Sequence, residues 1–269
     1  MASAALNARP NDALKPPSAL LALTELPRAI AEWSSLAVSM GTLLATAPRG
    51  DGHPVLVLPG FMTSDASTKV LRRFLTALGY DAHTWNLGRN LGPRAIGAQG
   101  EKLIERMREV HEQTGQKVSL VGWSLGGVMA RLLAKRAPDA IRQVITLGSP
   151  FNGSPKSSNV WRLYELMSGT KVDGVHTQDM LADIAARPSV PCTAIYSKGD
   201  GVVAWQTCRE TEDSRSESVE VHGSHCGLGV NPSVLMAVAD RLAQKPGEWR
   251  RFDRNKLRHG WMYPTAGNA

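Results

Sequence analysis

The run HPVLVLPG at residues 53–60 is apolar through its centre, β-branched at two positions and closed by Pro-Gly. A strand with one face in water alternates apolar and polar side chains, so a short run apolar throughout predicts a strand covered on both faces. A sheet covered on both faces needs helices above and below it, and helical stripes follow. Val70, Leu71, Phe74, Leu75 and Leu78 recur at helical spacing and stop at Gly79; Leu103, Met107 and Val110 do the same before Gly115. Further strands are predicted at 80–85, 117–122, 143–148, 192–197 and 218–223. Helices are predicted at 125–136, closed by Pro138, and after Asn231-Pro232. Strand and helix in alternation give an α/β chain: a mostly parallel sheet of about six strands with helices on both faces.

The alternation breaks once. Between Gly148 and Cys192 the segments SSNVWRLYELMSG and TQDMLADIAARP predict two short helices, and their apolar residues exceed what one buried face requires. This reads as a lid-like insertion at 152–190. Residues 1–18, with Pro10, Pro16 and Pro17, read as a flexible segment, 19–248 as one domain opened by a helix to about Leu44, and 249–269 as a basic tail.

At 269 residues with 42% hydrophobic and 20% charged content, the chain can bury a sizeable core and is of the soluble globular class. The net charge of +7 invites a nucleic-acid reading, but much of the excess lies in Arg250, Arg251, Arg254, Lys256 and Arg258, a solvated end by expectation. No specific nucleic-acid partner is predicted; peripheral contact with a membrane stays open, and the sequence leaves the oligomeric state unknown. SLAVSMGTLLATAP ends in Ala45-Thr46-Ala47 like a signal-peptidase site, yet it begins more than thirty residues in, follows Glu25 and Glu32, and would put Pro48 just after the cut. It is also too short to span a bilayer, so a helix packed on the domain or lying at a membrane surface is expected. Cys192, Cys208 and Cys226 form no Cys-x-x-Cys pair, which favours a reducing, cytoplasmic setting and leaves a Cys208–Cys226 bridge open. No His-x-x-x-His, Walker or Gly-x-Gly-x-x-Gly pattern is present, and neither metal nor organic cofactor is expected.

Chemistry concentrates in VSLVGWSLGGVMARLL, residues 118–133, where the third predicted strand meets its helix. In a parallel sheet, sites form at the carboxyl ends of strands. There the flanking glycines of Gly122-Trp123-Ser124-Leu125-Gly126 relieve the crowding of a tight turn that pushes the serine hydroxyl outward. Over roughly residues 53 to 245 the chain resembles the α/β-hydrolase superfamily, specifically bacterial lipases and esterases. YSKGDGVVAWQTC and GSHCGLGVNP are similar to a group of bacterial lipase-like hydrolases in which a helix replaces the early antiparallel strands; nothing before His53 reads as two strands.

The resemblance implies Ser124 as nucleophile followed in chain order by an acid and a histidine. Asp200 follows the fifth predicted strand, whereas the loop after the fourth, GSPFNGSP, has no carboxylate. Two histidines stand near the expected place. Strand alternation puts His222 on the strand surface, and His225 follows in the loop beyond Gly223, so His225 is favoured. Backbone N–H groups for an oxyanion are assigned to Leu125, at a helix N-terminus, and by resemblance to Phe61 in LPGFM, although Pro59 stands where many relatives carry histidine. The implied reaction is hydrolysis of carboxylic esters through an acyl-enzyme, without a cofactor, on a small-molecule or lipid-like ester. Met62, Trp123, Trp161 and Tyr164 are the candidate substrate-binding residues, with Phe61 and Met167 nearby. A thioesterase, amidase, lactonase or acyltransferase with the same three residues, and a non-catalytic binding protein on the same fold, remain open.

Overall fold

Each residue of β1 (Pro54–Leu58) is buried, and its side chains alternate between two apolar layers. Val55 and Val57 join one core and Leu56 and Leu58 the other. In the structure, a computed structural model describing residues 14–256 and 260–264, five further strands extend this arrangement. Before β1 come α1 (Ala19–Leu23) and α2 (Glu25–Thr46); after it come α3 (Lys69–Ala77), β2 (Asp81–Thr84), α4 (Pro93–Ile96), α5 (Glu101–Thr114), β3 (Val118–Trp123) and α6 (Leu125–Arg136). The chain continues through β4 (Ile141–Leu147), α7 (Trp161–Ser168), α8 (Val175–Ala185), β5 (Cys192–Tyr196), β6 (Ser216–Glu220) and α9 (Pro232–Leu242).

All neighbouring strands pair in parallel, in the order β2-β1-β3-β4-β5-β6. The chain steps outward from β1 to β2 and returns to the other side of β1 as β3. The strand order therefore reverses between β1 and β3, and loops leaving the carboxyl ends of these two strands diverge to leave a crevice. One face of the sheet is covered by α2, α3 and α9, the other by α5, α6 and α8. Asn231 accepts hydrogen bonds from the backbone of Ser233 and Val234, and Pro232 opens α9 at a position that needs no N–H.

Three expectations are corrected. The single N-terminal helix is two, because the Thr24 hydroxyl bonds back to the Leu20 and Leu21 carbonyls and Pro27 has no N–H to continue a ladder from α1. The last strand ends at Glu220 rather than 223: beyond it, the His222 and Gly223 carbonyls accept from the side chains of Asn231 and Ser197 instead of from a strand. The tail expected as a solvated end is docked over its described part. The Phe252 N–H donates to Glu217, Arg251 pairs with Glu212, and buried Tyr263 donates its hydroxyl to Ser233 O. Apolar area on Phe252, Met262 and Tyr263, packed against the core, outweighs the basic residues between them. Arg258, residues 1–13 of the N-terminal segment and residues 265–269 lie outside the described residues. All three cysteines are free thiols, so no Cys208–Cys226 bridge forms. Among the described residues no helix is long and apolar enough to cross a membrane.

The second helix of the 152–190 insertion is anchored from beneath. Arg131 of α6 is 0% exposed, lies over the Phe151 ring, pairs with Glu210, and donates to the carbonyls of Ile184, Ala185 and Ala186 at the end of α8. Removing one partner of such a pair strands the other charge in the interior. Arg131→Met should therefore lower the unfolding free energy by about 3–5 kcal/mol, read as a shift of the urea midpoint with an unchanged slope.

Candidate active site

Ser124 sits at φ 53°, ψ −122°, a conformation that non-glycine residues rarely adopt, between the end of β3 and the start of α6. Neighbouring glycines hold it there by close approach. A Cβ on Gly126 would lie 2.6 Å from the Pro59 carbonyl oxygen, and one on Gly122 would overlap the Gly126–Gly127 backbone. α6 can thus lie directly on β1 and β3, and the Ser124 N–H is fixed to Leu147 O at 2.8 Å. The serine is partly exposed, its side chain turned out of the sheet.

Asp200 follows β5 and His225 follows β6, so the loops after β3, β5 and β6 of the parallel sheet converge at one end of it. The His225 Nε2 lies 3.0 Å from Ser124 Oγ, and Nδ1 lies 2.6 Å from Asp200 Oδ2. Asp200 and His225 are 3% and 6% exposed. The other Asp200 oxygen accepts the N–H groups of Val202 and Val203, both at 2.8 Å, which leaves Oδ2 for the imidazole. Burial pulls the His225 pKa down, but the charge and hydrogen bond of Asp200 and the charge of Glu25 outweigh it, so the imidazole lies above its ordinary value. A hydroxyl bonded to such an imidazole can lose its proton as it attacks an electrophilic carbon. His222, the alternative base, is exposed, and its backbone carbonyl accepts from Asn231 Nδ2.

The loop after β1 meets Ser124 across the crevice at the β1/β3 switch. Met62 N–H is engaged by Asn90 O at 2.8 Å, whereas among the described residues no acceptor faces the N–H of Phe61 or of Leu125. The Leu125 amide is the first of α6, where the helix itself supplies no acceptor. Fully buried Asn90 braces this loop: its Nδ2 donates to Pro59 O at 2.8 Å and its Oδ1 accepts from Gly92 N.

A cavity of about 130 Å³ opens beside Ser124, lined mainly by apolar groups from α4, α6, α7 and α8. Phe61, Trp161 and Tyr164 line it, the rings of Phe61 and Tyr164 being 5.3 Å apart. Met62 and Trp123 do not line it. Trp123 lies beneath Gly229 and donates its indole N–H to His225 O at 3.1 Å, supporting the histidine loop instead of a ligand.

Four residues at this site have no motif of their own. Gly148, at φ 53°, passes so close that a Cβ would lie 3.2 Å from His225 Nδ1, 3.3 Å from Asp200 Oδ2 and 2.6 Å from Leu228 Cδ1. Asn90, Glu25 and Glu32 come from segments far from the Gly-x-Ser-x-Gly turn. The detectable signal in Glu25 and Glu32 is a charge on a helix whose other face is apolar. Among the described residues no cluster of His, Cys, Asp and Glu could hold a metal ion.

Residues 99–186 match the PGAP1-like alpha/beta domain family. Over 200 residues the chain is 27% identical to a triacylglycerol lipase of Burkholderia plantarii, covering 66% of this chain and 56% of that protein. The chain spans about half the length of the curated relatives it matches. In three dimensions it is similar to the monoacylglycerol lipase of Paleococcus ferrophilus, with a TM-score of 0.53 at 15% identity over 74% of this chain and 96% of the other. It is similar also to a lipase of Bacillus licheniformis in its mature form, with a TM-score of 0.51 at 19% identity over 74% and 94%. The fold is that of the α/β hydrolases. Within that class the chain is lipase- and esterase-like.

At Gly148 a side chain would have both the wrong φ and no room. Gly148→Ala should destabilise the protein by about 1–2 kcal/mol for the left-handed backbone alone, seen in thermal melts. It should also shift the Asp200–His225 pair, so that turnover falls more than the melting temperature accounts for.

Proposed function

We propose that this chain hydrolyses carboxylic esters through an acyl-enzyme, with Ser124 as nucleophile, His225 as general base and acid, and Asp200 fixing the histidine tautomer and stabilising its charged form. The observation that carries the reading is the continuous hydrogen-bonded chain from Asp200 Oδ2 through His225 to a partly exposed Ser124 Oγ at the edge of an apolar cavity. Ser124 Oγ attacks the ester carbonyl carbon as its proton passes to His225 Nε2. Negative charge developing on the carbonyl oxygen is met by the N–H groups of Phe61 and Leu125. The C–O bond to the alcohol then breaks, and the alcohol leaves with the proton from His225. Water enters, gives a proton to His225 and attacks the acyl carbon; the carboxylic acid departs as the proton returns to Ser124.

Cavity size bears on the acyl group. A space of about 130 Å³ is near the roughly 150 Å³ of an engineered apolar cavity that holds benzene, which suits an acyl chain of about four to six carbons. The relatives named as triacylglycerol lipases support a glycerol or other lipid-like alcohol on the leaving side. Trp161, Tyr164 and Phe61 line the cavity and are read as the acyl-contacting residues.

With p-nitrophenyl esters, kcat/KM should peak at the short acyl chains and decline at long ones. A monotonic rise to sixteen carbons would overturn the cavity reading. Ser124→Ala should remove turnover by about 10⁴-fold or more and abolish labelling by an organophosphonate; retained turnover would discard Ser124 as nucleophile. His225 serves as a base only when neutral, so kcat/KM should fall on acidification through its pKa. Because that pKa is raised, the fall should begin at a higher pH than for a solvated imidazole.

A further inference from the structure

We infer that Glu25, on the N-terminal helix outside the sheet, is a positioning residue for the Asp200–His225 pair, and that the charged face of α2 holds both loops in register. The inference rests on the proposed roles of Ser124, His225 and Asp200.

α2 carries its charges in an unusual place. Glu25, Arg28 and Glu32 are its charged residues, spaced to share one helical face, and that face turns toward the protein. Leu26, Ile30, Trp33 and Val38 are exposed instead. Farther along the helix Leu36 and Leu43 pack into the core, but its first turns place charge inward and apolar side chains outward, against the hydrophobic effect, so specific polar partners hold that half.

Those partners are the residues flanking the acid and the base. Glu25 Oε1 accepts from Gly201 N at 2.7 Å and from His225 N at 3.0 Å, and Oε2 accepts from Cys226 N at 2.9 Å. One oxygen atom thus joins the two loops. Arg28 pairs with Glu25 and donates to Gly199 O at 2.5 Å, on the other side of Asp200. Glu32 accepts from Ser224 N at 2.6 Å, on the other side of His225, and from Asn231 Nδ2. Both neighbours of Asp200 and both neighbours of His225 are therefore tied to one helix face. The loops need the tie: each is glycine-rich, and beyond β6 they no longer pair as strands.

Glu25 also contributes charge. Burial pushes its pKa up, but three backbone N–H groups and the charge of His225 outweigh this and hold it below the usual carboxylate range. The charged groups facing His225 are Asp200 from the β5 loop and Glu25 from α2; Arg28 bears on Glu25, and the Cys226 thiol, pushed up to about 12, is neutral.

The test compares Glu25→Gln, Glu32→Gln and Ser124→Ala in the full chain, with active sites counted by organophosphonate and turnover of p-nitrophenyl butyrate followed against pH. Glu25→Gln replaces one of the two carboxylate oxygens by an NH2 group that cannot accept from the backbone, and removes the charge. Turnover per titrated site should fall roughly 10- to 10²-fold with KM little changed, and the acid limb of kcat/KM should move to lower pH. Glu32→Gln should lower turnover and leave the limb in place. A merely structural Glu25 would lower the melting temperature and the titrated fraction alone; wild-type turnover per site with an unmoved limb would overturn the inference. If Ser124→Ala keeps its turnover, the catalytic reading itself fails, whatever Glu25→Gln does. Should Glu25→Gln not fold, Glu25→Asp keeps the charge but draws the carboxylate back by one methylene. Reduced turnover with an unmoved limb supports the tie, and wild-type turnover overturns it.

Discussion

Helix α6 lies almost directly on the strands that precede it, and the rest of the site depends on that contact. Glycines at 122, 126 and 127 remove the side chains that would hold helix and sheet apart, and the turn between them then leaves Ser124 no ordinary backbone conformation. The strain of a positive φ is local, while the packing that imposes it extends over β1, β3, β4 and α6. This is why the hydroxyl is both fixed and outward-facing: relaxing the turn would require separating α6 from the core.

The acid and histidine are held by a different principle. Their loops leave the last two strands of the sheet, and short glycine-rich segments have many accessible conformations. Polar ties replace packing there: Ser197 to Gly223 O, the Trp123 indole to His225 O, and the carboxylates and guanidinium of α2. Helix α2 packs beside α9 on one face of the sheet, and its charged face points at the loops. A buried carboxylate accepting three backbone N–H groups suits this task because it satisfies otherwise unpaired donors of two loops at once.

The cavity belongs to a third layer. α7 and α8 line it, and the end of α8 is bonded by Arg131, whose pair with Glu210 crosses from α6 to the segment after β5. The Asp200–His225–Ser124 hydrogen-bonded chain and the cavity beside it thus draw largely on different elements, the loops after β3, β5 and β6 for the first and α4, α6, α7 and α8 for the second.

Much of this was legible in order along the chain. Uniformly apolar strands and helical stripes fix a parallel sheet covered on both faces, because those patterns can bury their apolar area in few other ways. The Gly-x-Ser-x-Gly turn, a carboxylate after β5 and a histidine after β6 are local features; the strand alternation invoked for His222 does not apply, because β6 ends at Glu220. What the linear pattern lacks is distance: a helix near residue 25 reaching loops near 200 and 225, Gly148 passing beside an imidazole, Trp123 supporting a loop where a ligand contact was expected, and a basic tail folded back through Phe252 and Tyr263. Periodicity and turn chemistry are properties of neighbouring residues, so the sequence alone determined the elements and their order. Which polar groups meet across two hundred residues is decided only when the sheet closes and each buried donor has to find an acceptor, and that the tertiary structure settled.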